Sequence, residues 1–284
     1  MPAKEPLNAA RRRALLLALA ACAPFARAEE TKAPEPVFGT PGKDAGWIPT
    51  PDTMVEAMLK LARLSSADLL VDLGSGDGRI PILAAREFGS RGLGIEFNAD
   101  LVAYSRQRAV REGVADRVKF IRGDIFQTDF SEATVVALFM TPSVLQRLRP
   151  KLLAMRPGTR IVSYLFAIEE WEPDEWVFNN GMHGILWVVP ASVQGTWRIE
   201  VRDPGPERYQ VRLQQRFQKI DGRLIVGGAQ LPLFDARLVG DQLRFTGLSG
   251  ERRLDFTGTV KGKEIEGRLH ITGEPLKTFR AFRS

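Results

Sequence analysis

The chain has 284 residues, 44% of them hydrophobic and 26% charged, which suits one or two domains with real cores. That balance excludes disorder, collagen-like repeats and coiled coil. The net charge of +6 is unevenly placed: residues 1–28 hold five basic and one acidic side chains, residues 29–190 hold 18 and 22, and residues 191–284 hold 17 and 11. A mildly acidic body with a basic C-terminal region argues little for nucleic acid, and no nucleic-acid partner is expected.

The N-terminus reads as an export signal. Arg11, Arg12 and Arg13 precede the apolar run Ala14–Ala21, and the stretch closes on Ala26-Arg27-Ala28. This order marks a cleavable signal peptide over residues 1–28, too short to span a bilayer, so no transmembrane span is expected in the mature chain. The arginines before leucines resemble a twin-arginine signal, and a periplasmic location is expected. Leu19-Ala20-Ala21-Cys22 also has the form of a lipoprotein box, the alternative in which Cys22, the chain's one cysteine, carries a lipid anchor. A further alternative is inefficient export, with the protein working in the cytoplasm. Cleavage at Ala28 would leave no cysteine, hence no disulfide or thiol chemistry.

Residues 29–46, rich in Pro, Gly and charge, read as a linker. Helical spacing of Val55, Met58, Leu59 and Leu61 predicts a helix over 53–64, with Asp52 as N-cap. Strands and helices then alternate. Strands are predicted at 69–71, 92–95, 118–121, 134–139 and 160–164, and helices at 80–88, 101–112 and 143–155. Such alternation implies an α/β domain over residues 47–190, a mostly parallel sheet with helices on both faces. After Pro190 the texture changes to eight alternating or apolar runs between residues 196 and 283, punctuated by Asp221-Gly222, Gly240-Asp241, Gly250 and Gly262. These predict a second domain, 191–284, an antiparallel β-barrel or sandwich whose role the residues leave open.

The informative segment is Val71-Asp72-Leu73-Gly74-Ser75-Gly76-Asp77-Gly78-Arg79, between a strand and a helix. Doubly wound sheets bind nucleotides at this position. A dinucleotide fingerprint needs a third small residue where Arg79 stands. The acid two residues before the loop, Asp72, repels pyrophosphate but suits a cationic amino-acid moiety. Glu96 ends the second strand, where a carboxylate can accept both hydroxyls of a ribose. Asp124 follows the third strand, within reach of an adenine amino group. Each such charge-assisted hydrogen bond contributes roughly 1.5–3 kcal/mol.

This constellation resembles the class I S-adenosylmethionine-dependent methyltransferases, over about residues 47–190. Trp47-Ile48-Pro49-Thr50-Pro51, the Asp72–Ile80 loop, Leu148-Arg149-Pro150-Lys151-Leu152 and Pro157–Ser163 resemble the subgroup holding archaeal protein-lysine and ATP-synthase c-subunit lysine methyltransferases. The resemblance implies a Rossmann-like, seven-stranded sheet and S-adenosyl-L-methionine as cofactor. It implies that Thr50 and Pro51 close over the methionine end, that the loop residues Asp72, Gly74, Ser75, Gly76, Asp77 and Gly78 hold the methionine portion, that Glu96 takes the ribose and that Asp124 takes the adenine. Trp47 departs from the tyrosine more usual there.

The fourth strand ends in Phe139-Met140-Thr141-Pro142. Enzymes that methylate nucleobases or glutamine carry Asn/Asp/Ser-Pro-Pro-Tyr/Phe there, which counts against a nucleobase and is compatible with lysine. The resemblance implies a protein amine, lysine above all, as acceptor and a protein as partner. Phe139, Thr141, Tyr164 and Trp171 are candidate walls of the acceptor channel, and no catalytic base is named. With two histidines, His183 and His270, in different domains, no metal site is expected. The alternative function is an exported, non-catalytic binding protein that keeps the fold and uses the β domain, because S-adenosylmethionine is made in the cytoplasm.

Overall fold

The computed structural model describes residues 32–44, 46–201 and 207–284. The expected signal peptide, residues 1–28 with Cys22, lies outside the described residues.

Four helices and seven strands build the first layer system. The helices are α1 (Asp52–Leu61), α2 (Arg79–Phe88), α3 (Ala99–Arg111) and α4 (Pro142–Leu153). The strands are β1 (Leu69–Leu73), β2 (Arg91–Glu96), β3 (Val118–Arg122), β4 (Val135–Leu138), β5 (Arg160–Tyr164), β6 (Glu175–Asn179) and β7 (Met182–Val188). They form one sheet in the order β3-β2-β1-β4-β5-β7-β6. Strands β1 to β5 are parallel, β7 runs against β5, and β6 runs against β7. Near-continuous burial of the central strands explains their unbroken apolar runs.

Strand alternation divides the core between the two faces. Leu70, Val135, Ala137, Val162 and Leu186 pack with α1 and α2 on one face. Val71, Leu73, Val136, Leu138 and Ile161 meet Val144, Leu145, Leu148 and Leu152 of α4 on the other. Helix starts follow local chemistry. Asn98 caps α3 by accepting from the amides of Asp100 and Leu101, at 2.9 and 3.3 Å. Pro142 opens α4, where a missing N–H costs nothing. Asp52, expected as the N-cap of the first helix, is its first residue, and Pro51 takes the cap position.

The second sheet has nine antiparallel strands: β8 (Gly195–Val201), β9 (Glu207–Arg216), β10 (Lys219–Val226), β11 (Ala229–Pro232), β12 (Phe234–Val239), β13 (Gln242–Ser249), β14 (Arg252–Lys261), β15 (Glu264–Ile271) and β16 (Lys277–Arg283). In the order β11-β10-β9-β8-β16-β15-β14-β13-β12 they curl into a nearly closed barrel. The Leu233 amide, between β11 and β12, donates to the Gly222 carbonyl at 3.3 Å and continues the β10–β11 pairing. Alternate residues, among them Trp197, Leu213, Phe256 and Leu269, fill the interior.

The two sheets are braced at the β9–β10 turn. Phe217, at a φ of 55°, stacks on Trp171 with ring centres 5.9 Å apart. Gln218 donates to the Glu172 carbonyl, and Lys219 pairs with the Glu172 carboxylate at 3.0 Å.

One sequence expectation is corrected here. The described part of residues 29–46 is no free linker but a strap laid on the first sheet. Its later half folds back on itself, with the Gly39 amide on the Trp47 carbonyl at 2.9 Å and the Trp47 amide on the Thr40 carbonyl at 2.8 Å. Asn98 donates to the Pro41 carbonyl at 2.9 Å, and Arg147 pairs with Asp44 at 3.1 Å. Proline and glycine content marks both linkers and straps; the long-range partners decide which one forms.

Candidate functional site

A cavity of about 300 Å³ opens at the carboxyl ends of β1, β2 and β4 beneath the strap, large enough for a small-molecule ligand. The walls include Thr50, Asp72, Gly74, Ser75, Asp77, Glu96 and Asp124, seven of the ten residues singled out from the sequence. Pro51, Gly76 and Gly78 do not face it; they shape it from behind.

The loop after β1 is held by its backbone. The amides of Gly74 and Ser75 both donate to the Ile95 carbonyl, at 2.8 and 3.1 Å. Gly76 has a φ of 52°, and a Cβ there would sit 2.2 Å from Nε1 of Trp47. Only glycine permits both the turn and the indole lying over it. Gly78 caps α2 against Phe120 and Ser105, where a Cβ would come within 2.6 and 2.9 Å. This is close packing of helix on strand.

Three acids stand around the loop and differ in their partners. Asp77 is saturated, pairing with Arg79 at 2.8 Å and Arg108 at 2.6 Å. Glu96 accepts from the Gly76 amide at 3.0 Å and the Asn98 amide at 2.8 Å, which fixes its orientation and leaves lone pairs toward the cavity. Asp72 is 3% exposed, and its carboxylate has no hydrogen-bond or ion-pair partner among the described residues. Burial first, then the charges of Glu96 and Asp77, push its carboxyl well above the usual carboxylate range. The buried hydroxyl of Ser75 is likewise unpartnered. A buried acid and hydroxyl left open on one cavity call for a ligand that brings a cation or hydrogen-bond donors.

At the far end Asp124 is already engaged. Its carboxylate pairs with Lys43 of the strap at 2.6 Å and accepts from the Phe126 amide at 2.9 Å. The Lys43 hydrogen bond, then that of Phe126, hold its carboxyl below the usual range. Opposite, Phe139, Met140, Thr141 and Phe166 make an apolar wall. Phe139 and Phe166 stack with centres 6.3 Å apart.

Two of the four residues expected along an acceptor channel are elsewhere. Tyr164 lies behind Phe139, edge-on at 4.7 Å, with its hydroxyl on the sulfur of Met182 at 2.6 Å. Trp171 is buried under Phe217, its carbonyl accepting from the Trp187 indole at 2.8 Å. Strand alternation sends Tyr164 toward α1, and the loop after β5 carries Trp171 back under the barrel. Phe166, which sequence reasoning missed, takes the exposed place. It is delivered by a tight turn in which Leu165 adopts a φ of 64° and the Ser163 hydroxyl donates to the Phe166 carbonyl at 2.8 Å. Nothing in the local sequence announces that backbone.

Residues 72–175 match the family model described as the ANTKMT methyltransferase domain. A protein-lysine N-methyltransferase of Saccharolobus islandicus is 40% identical over 131 residues, covering 45% of this chain and 81% of that relative. The chain belongs to the S-adenosylmethionine-dependent methyltransferases. An ATP synthase c-subunit lysine N-methyltransferase of Xenopus laevis is 38% identical over 48% of this chain and 59% of its own length. A solved RNA methyltransferase from Salinibacter ruber, in complex with S-adenosyl-L-homocysteine, matches with a TM-score of 0.51 and 49% identity, over 51% of this methyltransferase and 96% of that chain. These matches disfavour the alternative of a non-catalytic binding protein. The family model stops short of the barrel.

Proposed function

We propose that this methyltransferase moves a methyl group from S-adenosylmethionine to a lysine ε-amine of a protein. The observation that carries the proposal is one cavity lined both by a buried, unpartnered acid and hydroxyl, Asp72 and Ser75, and by the apolar Phe139, Met140 and Phe166. Asp72 and Ser75 would hold the methionine amino-acid portion, with Gly74 and Gly76 supplying the backbone turn. Glu96 would take the ribose and Asp124 the adenine edge. Thr50 and Asp77 line the wall, Asp77 held in its ion pairs with Arg79 and Arg108, while Pro51 and Gly78 support the loop from behind. When bound, the sulfonium supplies an electrophilic methyl group.

The chain's own work is alignment. In-line displacement gains most of its rate from fixed geometry. The apolar wall of Phe139, Met140 and Phe166 strips water from an approaching ammonium, and loss of that hydration favours its neutral, nucleophilic form. The archaeal and c-subunit relatives named for lysine support the same acceptor.

RNA is the second reading, favoured by the description of the Salinibacter ruber protein. Incubating the purified protein with methyl-tritiated cofactor and host extract separates the two. Lysine methylation predicts protease-sensitive label that yields methyl-lysine on hydrolysis. Ribonuclease-sensitive label would overturn it. Export belongs to the proposal as well: a C-terminally tagged chain is expected in the periplasm, beginning after Ala28. Unprocessed cytoplasmic protein would refute that part.

A further inference from the structure

The β5–β6 connection, residues 165–174, contains no helix. On the α4 side of the sheet this leaves the last two strands partly bare. Ile185 and Trp187 are buried there, but their neighbours toward the carboxyl edge are not. Trp176 is 44% exposed and Phe178 74% exposed. The two rings stack with centres 6.3 Å apart, and both contact the ring of His183, at 5.3 and 6.0 Å. Contiguous exposed aromatics on a strand mark an interaction surface more often than chance. The strand that bears them, β6, is also the outermost of its sheet, so it has backbone groups free to pair with an extended chain.

This patch is continuous with the apolar end of the cavity. The His183 ring shares a hydrogen bond with the Leu165 carbonyl at 2.8 Å, and the next residue, Phe166, lines the cavity. Asn179 donates to the Thr53 carbonyl at 3.3 Å, tying the same hairpin to the start of α1 beside Thr50. Three of the acids around the patch are already paired: Glu175 with Arg63 at 3.0 Å, Glu170 with Arg149 at 3.1 Å and Glu172 with Lys219 at 3.0 Å. An occupant is therefore selected by apolar contact and backbone pairing more than by charge.

Resting on the protein-lysine reading above, we propose that Trp176, Phe178 and the β6 edge dock an extended, apolar segment of the acceptor polypeptide, whose lysine then passes Phe166 into the cavity. Specificity would thus come from the residues flanking the target lysine.

Two synthetic peptides test this, each with one central lysine, flanked at alternate positions by Leu, Val and Phe in one and by Ser in the other. The wild type is expected to label the apolar peptide about tenfold faster, chiefly through KM and with little effect of salt. Trp176→Ser with Phe178→Ser should bring the ratio near one, while S-adenosylhomocysteine affinity and melting temperature stay unchanged. Phe178→Leu should keep the preference, and Phe178→Ser alone, at the more exposed position, covers a double variant that fails to fold. Equal labelling of both peptides by the wild type, or a preference that survives both serine variants, overturns the docking surface alone. A dimer lost in the serine variants, with no peptide preference, would give the patch to a second copy and also overturn it. Label on neither peptide refutes the lysine reading itself.

Discussion

Asp72 offers the sharpest prediction, because stability and function pull it in opposite directions. Its carboxyl is raised by burial and by Glu96 and Asp77, so the native state holds the proton more tightly than the unfolded chain does. Stability then falls as pH rises from the ordinary carboxylate value of 3.8 toward the raised native value, and the loss persists above it. Asp72→Asn keeps the shape and deletes the charge. An unpaired buried polar group costs about 1–3 kcal/mol, more when charged. The variant should therefore be more stable at neutral pH, by at most about 1–3 kcal/mol because the amide is itself unpaired. That is a rise of roughly 2–10 °C in melting temperature for a chain of this size. The same change removes a charge-assisted partner worth roughly 1.5–3 kcal/mol, so cofactor affinity should fall roughly 10- to 150-fold. Scanning fluorimetry without and with S-adenosylmethionine measures both effects. A variant that melts lower and still gains the wild-type shift on adding cofactor would refute the reasoning.

Other predictions follow from single contacts. Gly76→Ala places a Cβ 2.2 Å from the Trp47 indole at a φ of 52° and should abolish cofactor binding, whereas Gly250→Ala, at a φ of 62° with nothing within 4 Å, should cost about 1 kcal/mol and leave binding intact; calorimetry compares them. Phe217→Ala removes the ring stacked on Trp171 and Arg149 and should cost about 1–3 kcal/mol, splitting one calorimetric transition into two. Asp68 is raised by burial, but hydrogen bonds from Thr134 and Ser65 and the charge of Arg160 outweigh that and leave its carboxyl below 3.8. Its stabilisation is thus present above that value and lost as pH falls through the lower native one. Asp68→Asn should flatten the acid limb of a stability-against-pH curve, and an unchanged limb would count against the pairing.

What the sequence discloses and what it hides divide by range of interaction. Strands β1 to β5 are legible because burial on both faces forces unbroken apolar runs, and Asp72, Glu96 and Asp124 because strand ends fix where side chains point. The barrel is legible from its alternation and turn glycines. Segment 33–46 misleads, since only the contacts of Lys43 with Asp124 and of Asn98 with Pro41 distinguish a strap from a linker. The β6–β7 hairpin is hidden because Trp176 and Phe178 face outward, against the usual sign of apolar residues. Proximity in sequence puts Tyr164 and Trp171 in the channel, but strand alternation and the barrel's docking decide their surroundings. Phe166 depends on the left-handed Leu165, which no local pattern encodes.

The central claim is that the cavity beneath the strap is a working cofactor site, and a calorimetric titration of S-adenosylmethionine into the purified protein tests it most directly. Micromolar binding that Glu96→Ala abolishes is the predicted result. Absence of binding to the wild type, or equal binding to the variant, would contradict the account.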